Sequence, residues 1–385
     1  MIFTDNFENN APSRQAQPNE LGKKKVSLSL ALTTIFLVLM GFGLANLYSA
    51  SGASAVFYVQ LRHGLIGLFV FLILGWIVPV RSLNVYGYWI FGITCALLVT
   101  VLITGKIGGG SQRWIVVGPF RGQPSELAKL AVAIAVAKYF YTAKLRIFKL
   151  RDMWPVIAMI GLIAGLIFPE PDFGTAGFVA IIALAQLAFV PINRRSVMTV
   201  IAVGIGTMPI VWGLLLKDYQ KYRVLSFLNP DLDPHGKGYN AMQSLVAIGS
   251  GGLNGKGFLE GTQTQLRFLP MRHTDFVYSV FAEEHGFWGT IVLFSLFAAL
   301  AYLALEVARQ SRDKFNRLLA VGVAAFLFFQ FTINIAMVLR MFPVVGLPLP
   351  FFSYGGSTLM AVCGAIGVLI AIDRDTLGKR RLLQR

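Results

Sequence analysis

Ten apolar runs, each near the length of one membrane crossing, decide what this chain can fold into. They lie near residues 27–48, 63–80, 86–104, 125–142, 154–169, 173–191, 197–216, 275–305, 318–340 and 353–372. A bilayer core about 30 Å thick takes about 20 helical residues at about 1.5 Å each. Strands are excluded, because the runs are too long and show no sustained alternation. The eighth run exceeds one span, so it begins before the membrane or is tilted. Composition agrees. Of 385 residues, 56% are hydrophobic and 14% charged, with a mean hydropathy of +0.66. That excludes a disordered chain. Cys95 and Cys363, the two cysteines, both sit inside apolar runs, which excludes a disulfide scaffold. The expected fold is an all-α polytopic membrane protein of about ten transmembrane helices.

Charge orients the spans. The formal net charge of +16 would suggest nucleic acid in a soluble protein, but here it marks loops. Lys23, Lys24 and Lys25 precede the first run, and Lys144, Arg146, Lys149 and Arg151 follow the fourth. Arg309, Arg312, Lys314 and Arg317 follow the eighth, and Lys379, Arg380, Arg381 and Arg385 end the chain. These share one side if both termini are cytoplasmic, so the reading is N-in and C-in. Residues 1–26 form a cytoplasmic tail, residues 27–372 the membrane domain, and residues 373–385 a basic cytoplasmic tail. The first run is span-length and reads as an uncleaved anchor. A large outer loop, residues 217–274, joins runs seven and eight. Its Lys217, Lys221, Arg223, Lys237, Lys256, Arg267 and Arg272 outweigh Asp218, Asp231, Asp233 and Glu260. Such an excess suits a solvated loop, anionic headgroups or an anionic ligand such as a pyrophosphate.

The polar chemistry gathers on that outer side. Gly249 through Gly257 resembles a phosphate loop in composition, but Ser250 and Gly257 break the spacing. Its glycines suit positive-φ turns and close backbone approach. Asp275 stands at the mouth of the eighth run, after Arg272 and His273. It either caps the helix or faces a polar cavity. Ser279 and Glu283 follow at +4 and +8 and are expected on the same broad helix face. Residues 105–124 hold Arg113 and Trp114, the latter an interface anchor or a platform for a sugar ring. Gln123, Pro124, Ser125, Glu126 and Lys129 open the fourth run, and Glu126 and Lys129 are spaced either to pair with each other or to face a cavity beside Arg113. Pro343 through Ser357 cannot form a simple helix and must be buried in protein or line a cavity.

Together these segments resemble the SEDS family of cell-wall polymerases (shape, elongation, division and sporulation). The matching pieces are Gln112-Arg113-Trp114, Gln123 through Glu126 with Lys129, Pro171 through Thr175, and Gln243 through Gly257. Leu269-Pro270, His273 through Phe276, Glu283 through Gly286, Asn334, Met337 and Pro343 through Ser357 continue the match. Thr262 through Leu266 and Pro343 through Gly346 favour the elongation branch over the division branch. Met271, Glu170 and Gly122 depart from the family's usual Glu, Gln and aromatic residues. The resemblance implies a peptidoglycan glycosyltransferase of the bacterial inner membrane, acting on lipid II on the extracytoplasmic side. It also implies a class B penicillin-binding transpeptidase, other membrane proteins of the elongation complex, and a divalent cation (Mg or Mn). Asp275 matches the family's essential aspartate, and is expected as general base or metal ligand.

The chemistry asks for a base near the acceptor hydroxyl and for cations near the leaving diphosphate. Arg113, Lys129, Lys256 and Arg272 are the candidate cations. Glu126 would position Lys129 or the acceptor, and Trp114 would contact sugar. Gln123, Ser125, His273, Glu283 and Ser353 complete the candidate substrate-binding set. A lipid II flippase and a non-enzymatic scaffold of the elongation complex are the rival readings. Against the flippase, the unusual polar groups cluster on one side, and no paired broken spans stand out in the two halves.

Overall fold

The computed structural model describes residues 28–383, apart from 53, 109–110, 118–119, 144, 171, 217, 230–236, 267 and 269–270. The N-terminal tail and the motif residues Pro171, Leu269 and Pro270 therefore lie outside the described residues. The helices are α1 (Leu28–Ser51), α2 (Ala55–Leu72), α3 (Val80–Thr104), α4 (Pro124–Thr142), α5 (Trp154–Ile167), α6 (Phe173–Leu187) and α7 (Arg194–Ile210). They continue as α8 (Asp218–Leu228), α9 (Lys237–Gly251), α10 (Thr262–Gln265), α11 (Val277–Gln310), α12 (Lys314–Val338) and α13 (Gly356–Leu383). Among the described residues, eight are long and apolar enough to cross a membrane, counting the π-helical turns that extend α2 and α7 and the 3-10 turn that opens α5. Two more complete the ten runs. One is α4, whose Glu126, Lys129 and Lys138 lower its hydropathy, and the other is the shorter α6.

Two boundaries differ from the hydropathy reading. Helix α2 starts at Ala55, ahead of the apolar run, because Gln60, Arg62 and His63 carry the helix beyond the hydrocarbon without breaking its hydrogen bonds. Helix α13 runs to Leu383, so residues 373–383 of the basic C-terminal segment are helical and continuous with the last helix. Lys379 bonds Asp375 at 2.7 Å one turn back, and Asn316 donates to the same carboxylate at 2.8 Å.

Helices α12 and α13 make the centre. Of α13's apolar window 94% is inside the bundle, against 72% for α12 and none for α7. Lipid tails are as apolar as Leu, so close packing rather than water exclusion holds such helices together. Helix α4 joins this centre through Ala128, Ala131, Ala133, Ala135 and Ala137, small enough to admit α6 and α12 closely. At one end of the bundle Ser29 of α1 donates its N–H to Asp373 of α13 at 3.0 Å, which puts the start of α1 beside the last part of α13. At the opposite end the segments 105–123, 252–276 and 339–355 converge.

The outer connections gain structure that sequence did not foresee. Residues 106–122 form a small antiparallel sheet, β1 (Lys106–Gly108), β2 (Ser111–Val117) and β3 (Phe120–Gly122), in the order β1-β2-β3. The β-branched Ile115, Val116 and Val117 favour it. The long loop contributes α8, α9 and α10, and α9 packs on α11. The glycine stretch behaves as its composition suggests. Lys256 and Gly257 donate their N–H groups to the carbonyls of Glu283 and Glu284 at 3.0 Å each. Helix α11 is broken at Gly286 (φ 62, ψ −159), where Gly255 packs backbone to backbone. A Cβ at Gly286 would stand 2.3 Å from the Gly255 nitrogen, so only glycine fits. The break explains the overlong eighth run.

Candidate active site

Asp275 lies in a turn just before α11. The N-cap of that helix is Phe276, which supplies no side-chain cap, so Asp275 stands outside the capping position. Asp275, Ser279 and Glu283 therefore do not share a helical face. The backbone around Asp275 is held from several sides. Asn334 of α12 donates to the Asp275 carbonyl at 3.2 Å and to the Leu347 carbonyl at 2.8 Å. Ser353 donates to the Thr274 carbonyl at 2.7 Å and accepts from the Leu349 N–H at 2.7 Å. The Tyr354 N–H donates to the His273 carbonyl at 2.8 Å. Gln60 of α2 closes the other side, donating to the Ser353 carbonyl at 3.2 Å and accepting from the Gly355 N–H at 3.1 Å. The irregular segment 339–355 is thus a cradle under residues 273–275. Gly346 (φ +76) lies against the carboxylate itself, since a Cβ there would stand 3.8 Å from Asp275 Oδ2.

The same segment reaches the other motifs. The Val345 carbonyl meets Gly174 at the start of α6. Gln330 of α12 donates to the Pro348 carbonyl at 3.0 Å and accepts from Lys129 Nζ at 3.3 Å. Lys129 also bonds Glu126 at 2.7 Å and stacks over the rings of Phe178 and Phe326, 5.2 and 5.6 Å away. Lys129 has no exposed surface and Glu126 is 2% exposed. They brace α4, α6 and α12 beneath the cradle.

Arg113 of β2 forms a second corner. Its Nε donates to the Glu170 carbonyl at 2.8 Å, and its guanidinium lies 3.8 Å from Asp172 Oδ2. Asp172 caps α6 through the Thr175 N–H at 3.3 Å and accepts from Gln123 at 3.2 Å. Gln123 also donates to Ser125 Oγ at 3.0 Å, and its N–H reaches Ser357 at 2.9 Å. Trp114 is half-buried in β2, with Lys106 as its register partner. Glu170 is fully buried, and neither carboxyl oxygen has a hydrogen-bond partner. Burial, then the Asp172 carboxylate beside it, push its pKa up to about 8, against the pull of Arg113.

The third corner is self-contained. Glu283 is fully buried and accepts from Lys256 at 2.8 Å, from the N–H groups of Gln263 and Thr264 at 2.8 and 3.2 Å, and from the Thr264 hydroxyl at 3.0 Å. Lys256 and Glu283 thus pin the outer loop to α11. Arg272 donates to the Thr264 carbonyl from the same loop. Burial, then the Arg272 guanidinium, hold His273 below its ordinary pKa against the Asp275 carboxylate. His273 is therefore neutral at pH 7 and supplies a polar contact rather than a cation.

Among the described residues, no three His, Cys, Asp or Glu side chains converge. Mg²⁺ is often held by one or two carboxylates plus phosphate oxygens, and a single carboxylate such as that of Asp275 is compatible with that mode. The described residues do not build a resident all-protein cage.

The family model for the FtsW, RodA and SpoVE cell cycle proteins matches residues 25–377. The chain belongs to this FtsW/RodA/SpoVE family, the SEDS proteins. Among its SEDS relatives, the peptidoglycan glycosyltransferase MrdB of Escherichia coli K12 is 38% identical over 90% of this chain and 94% of its own length. The probable peptidoglycan glycosyltransferase FtsW of Thiomicrospira cyclica is 36% identical over 90% of this chain and 92% of its own. A chain from a peptidoglycan synthase complex coordinating polymerization and crosslinking superposes with a TM-score of 0.77, at 30% identity over 90% of this chain and 98% of that one. The crystal structure of the Thermus thermophilus rod shape determining protein RodA gives a TM-score of 0.67, at 28% identity over 93% and 99%.

Sequence reasoning did not place Gln60, Gln330 or Gly346 in the SEDS site, and named Asn334 only as a motif match. One signal was available for three of them. An amide inside an apolar helix is expensive unless bonded, so buried Gln60, Gln330 and Asn334 had to find partners.

Proposed function

We propose that this multi-pass membrane protein is a peptidoglycan glycosyltransferase that polymerises lipid II during cell elongation, at the outer face of the bacterial cytoplasmic membrane. The observation that carries the reading is Asp275, fixed through its backbone by the Asn334–Ser353 cradle in a chain of the SEDS family. The acceptor sugar's 4-hydroxyl attacks the anomeric carbon of the donor. The new C–O bond forms as the bond to undecaprenyl pyrophosphate breaks, and Asp275 takes the hydroxyl proton as general base. Arg113 and Arg272 offer positive charge for the departing diphosphate, and Trp114 offers an apolar face to a sugar ring. Asp275 would also hold a divalent cation such as Mg or Mn, which when bound neutralises charge on the diphosphate. Lys129 and Glu126 act by positioning α4 under the cradle, and Lys256 and Glu283 by fixing the outer loop.

The end of the bundle that carries Ser29 and Asp373 faces the cytoplasm in this reading, because the basic connections mark the cytoplasmic side. Similarity to a chain of a synthase complex supports a class B penicillin-binding transpeptidase as partner, beside other elongation-complex membrane proteins.

The test is polymerisation of lipid II by the purified protein with its transpeptidase, crosslinking blocked by a β-lactam. Asp275→Ala is expected to make no glycan. Polymerisation at the wild-type rate by that variant would remove Asp275 from the mechanism. Labelled lipid II crossing liposomes without glycan synthesis would favour the flippase instead.

A further inference from the structure

At the end of the bundle opposite the cradle, two connections are locked together into one basic surface. The Phe148 N–H donates to the Pro191 carbonyl at 2.9 Å, and the Asn193 N–H donates to the Phe148 carbonyl at 3.0 Å. This parallel bridge joins the α4–α5 connection to the α6–α7 connection. Arg146 and Lys149 stand within two residues of Phe148, and Arg195 stands two residues past Asn193. At most about 7 Å of chain separates each of them from the bridge. Lys314 comes in from the start of α12, its Nζ 5.3 Å from the centre of the buried Phe148 ring. Arg151 follows in the 3-10 turn Leu150–Met153. Arg146, Lys149, Arg151 and Arg195 are exposed, and none belongs to an ion pair among the described residues. The acid of this loop, Asp152, accepts the Lys149 N–H at 2.9 Å. Elsewhere at this end the cations are used: Arg309 pairs with Glu306, Lys379 pairs with Asp375, and Arg317 and Arg374 donate to backbone carbonyls.

Water alone is a poor neighbour for this surface. Leu145, Ile147, Leu150 and Trp154 are interleaved with the cations and exposed, Trp154 by 66%. The apolar exposure continues onto Ile157 of α5 and onto Val197 and Met198 of α7, helices apolar enough to face hydrocarbon. Cations mixed with apolar side chains at the foot of such helices belong in the headgroup layer, where Trp lies at the interface and Lys and Arg meet lipid phosphates. An acidic protein would answer the cations but not the apolar side chains between them. Helix α7 has a use for such a ligand. None of its apolar window is inside the bundle, and it meets the rest of the chain chiefly at the turn Leu150–Met153. A phosphate held between that turn and Arg195 would staple α7 to α5.

We propose that the platform of Arg146, Lys149, Arg151 and Arg195 binds the phosphate of an anionic phospholipid and ties α7 to the bundle through it. The site is independent of the chemistry at Asp275. The full-length protein in a neutral detergent is titrated with phosphatidylglycerol, and bound lipid is counted by native mass spectrometry. Arg195→Gln is expected to weaken binding about fivefold, and Arg146→Gln, Arg151→Gln and Arg195→Gln together about a hundredfold. These side chains are exposed, so the melting temperature without added lipid should not change. Phosphatidylglycerol should raise the melting temperature of the wild type and leave that of the triple variant where it is. Arg309→Gln removes an exposed cation at the same end that is already paired with Glu306, and should bind as wild type does. Should the triple variant lose stability, Arg195→Gln alone decides. Wild-type affinity in the folded variants overturns the proposal. An equal loss from Arg309→Gln overturns it too, because the effect would then be diffuse surface charge. Poly-glutamate that binds as tightly as phosphatidylglycerol, and is lost with the same cations, would assign the surface to an acidic protein and overturn the lipid.

Discussion

Asp275 and Glu283 bracket the outer end of α11, and the same polar loop comes down on both. Glu283 is spent. Lys256, two loop N–H groups and a threonine hydroxyl saturate it, and it has no exposed surface. Asp275 is held by its carbonyl and by its neighbours' carbonyls, while Gly346 leaves room at its carboxylate. A carboxylate that folding has saturated stabilises a loop, whereas Asp275 has its backbone fixed by α12 and by the segment 339–355 and a glycine beside its carboxylate. Net charge and spacing do not separate these two cases.

The largest effect should come from Asp275→Asn. Its shape is kept and its basicity lost, so polymerisation should fall by about 10²–10⁴-fold with an unchanged melting temperature. An equal loss of stability would erase the contrast with Glu283. Lys129→Met tests the saturated kind at its deepest point. Stranding Glu126 should cost about 3–5 kcal/mol in thermal unfolding, and adding Glu126→Gln should restore most of it. Glu283→Ala removes the acceptor of several loop donors. A cost of about 1–3 kcal/mol and faster proteolysis of residues 252–266 are expected, with a smaller loss of rate than Asp275→Asn gives. Gly346→Ala sharpens the other side. Its positive φ should cost about 1 kcal/mol, and crowding of Asp275 should slow the reaction several-fold while leaving Lys256 and Glu283 untouched.

The smallest effect should come from Glu170→Gln. With its pKa raised to about 8, Glu170 holds a proton in the folded state that the unfolded chain gives up near 4.5. Its contribution is fully present below about 4.5 and is lost as pH rises through about 8. Melting temperature against pH should therefore flatten over that window in the glutamine variant. An unchanged profile would show that Glu170 is ionised at neutral pH.

The spans were legible because a bilayer demands runs of fixed length whatever the neighbours do. Asp275, Arg113 and the glycine stretch were legible because a charged group or a glycine cluster at membrane depth needs a reason. The partners were not. Lys256 looks like a ligand cation in sequence, and only a fold that brings Glu283 within 2.8 Å turns it into an anchor. Lys129 looks equally available until α6 and α12 close over it.

What the sequence determined alone was a ten-span helical chain with its unusual polar groups at one end. Solvent imposes that much residue by residue, since each apolar run answers to the bilayer independently. The tertiary structure decided which of those polar groups are consumed by each other and which face outward. That choice rests on contacts between segments far apart in the chain, such as Asn334 with Asp275, and no local pattern of residues encodes them.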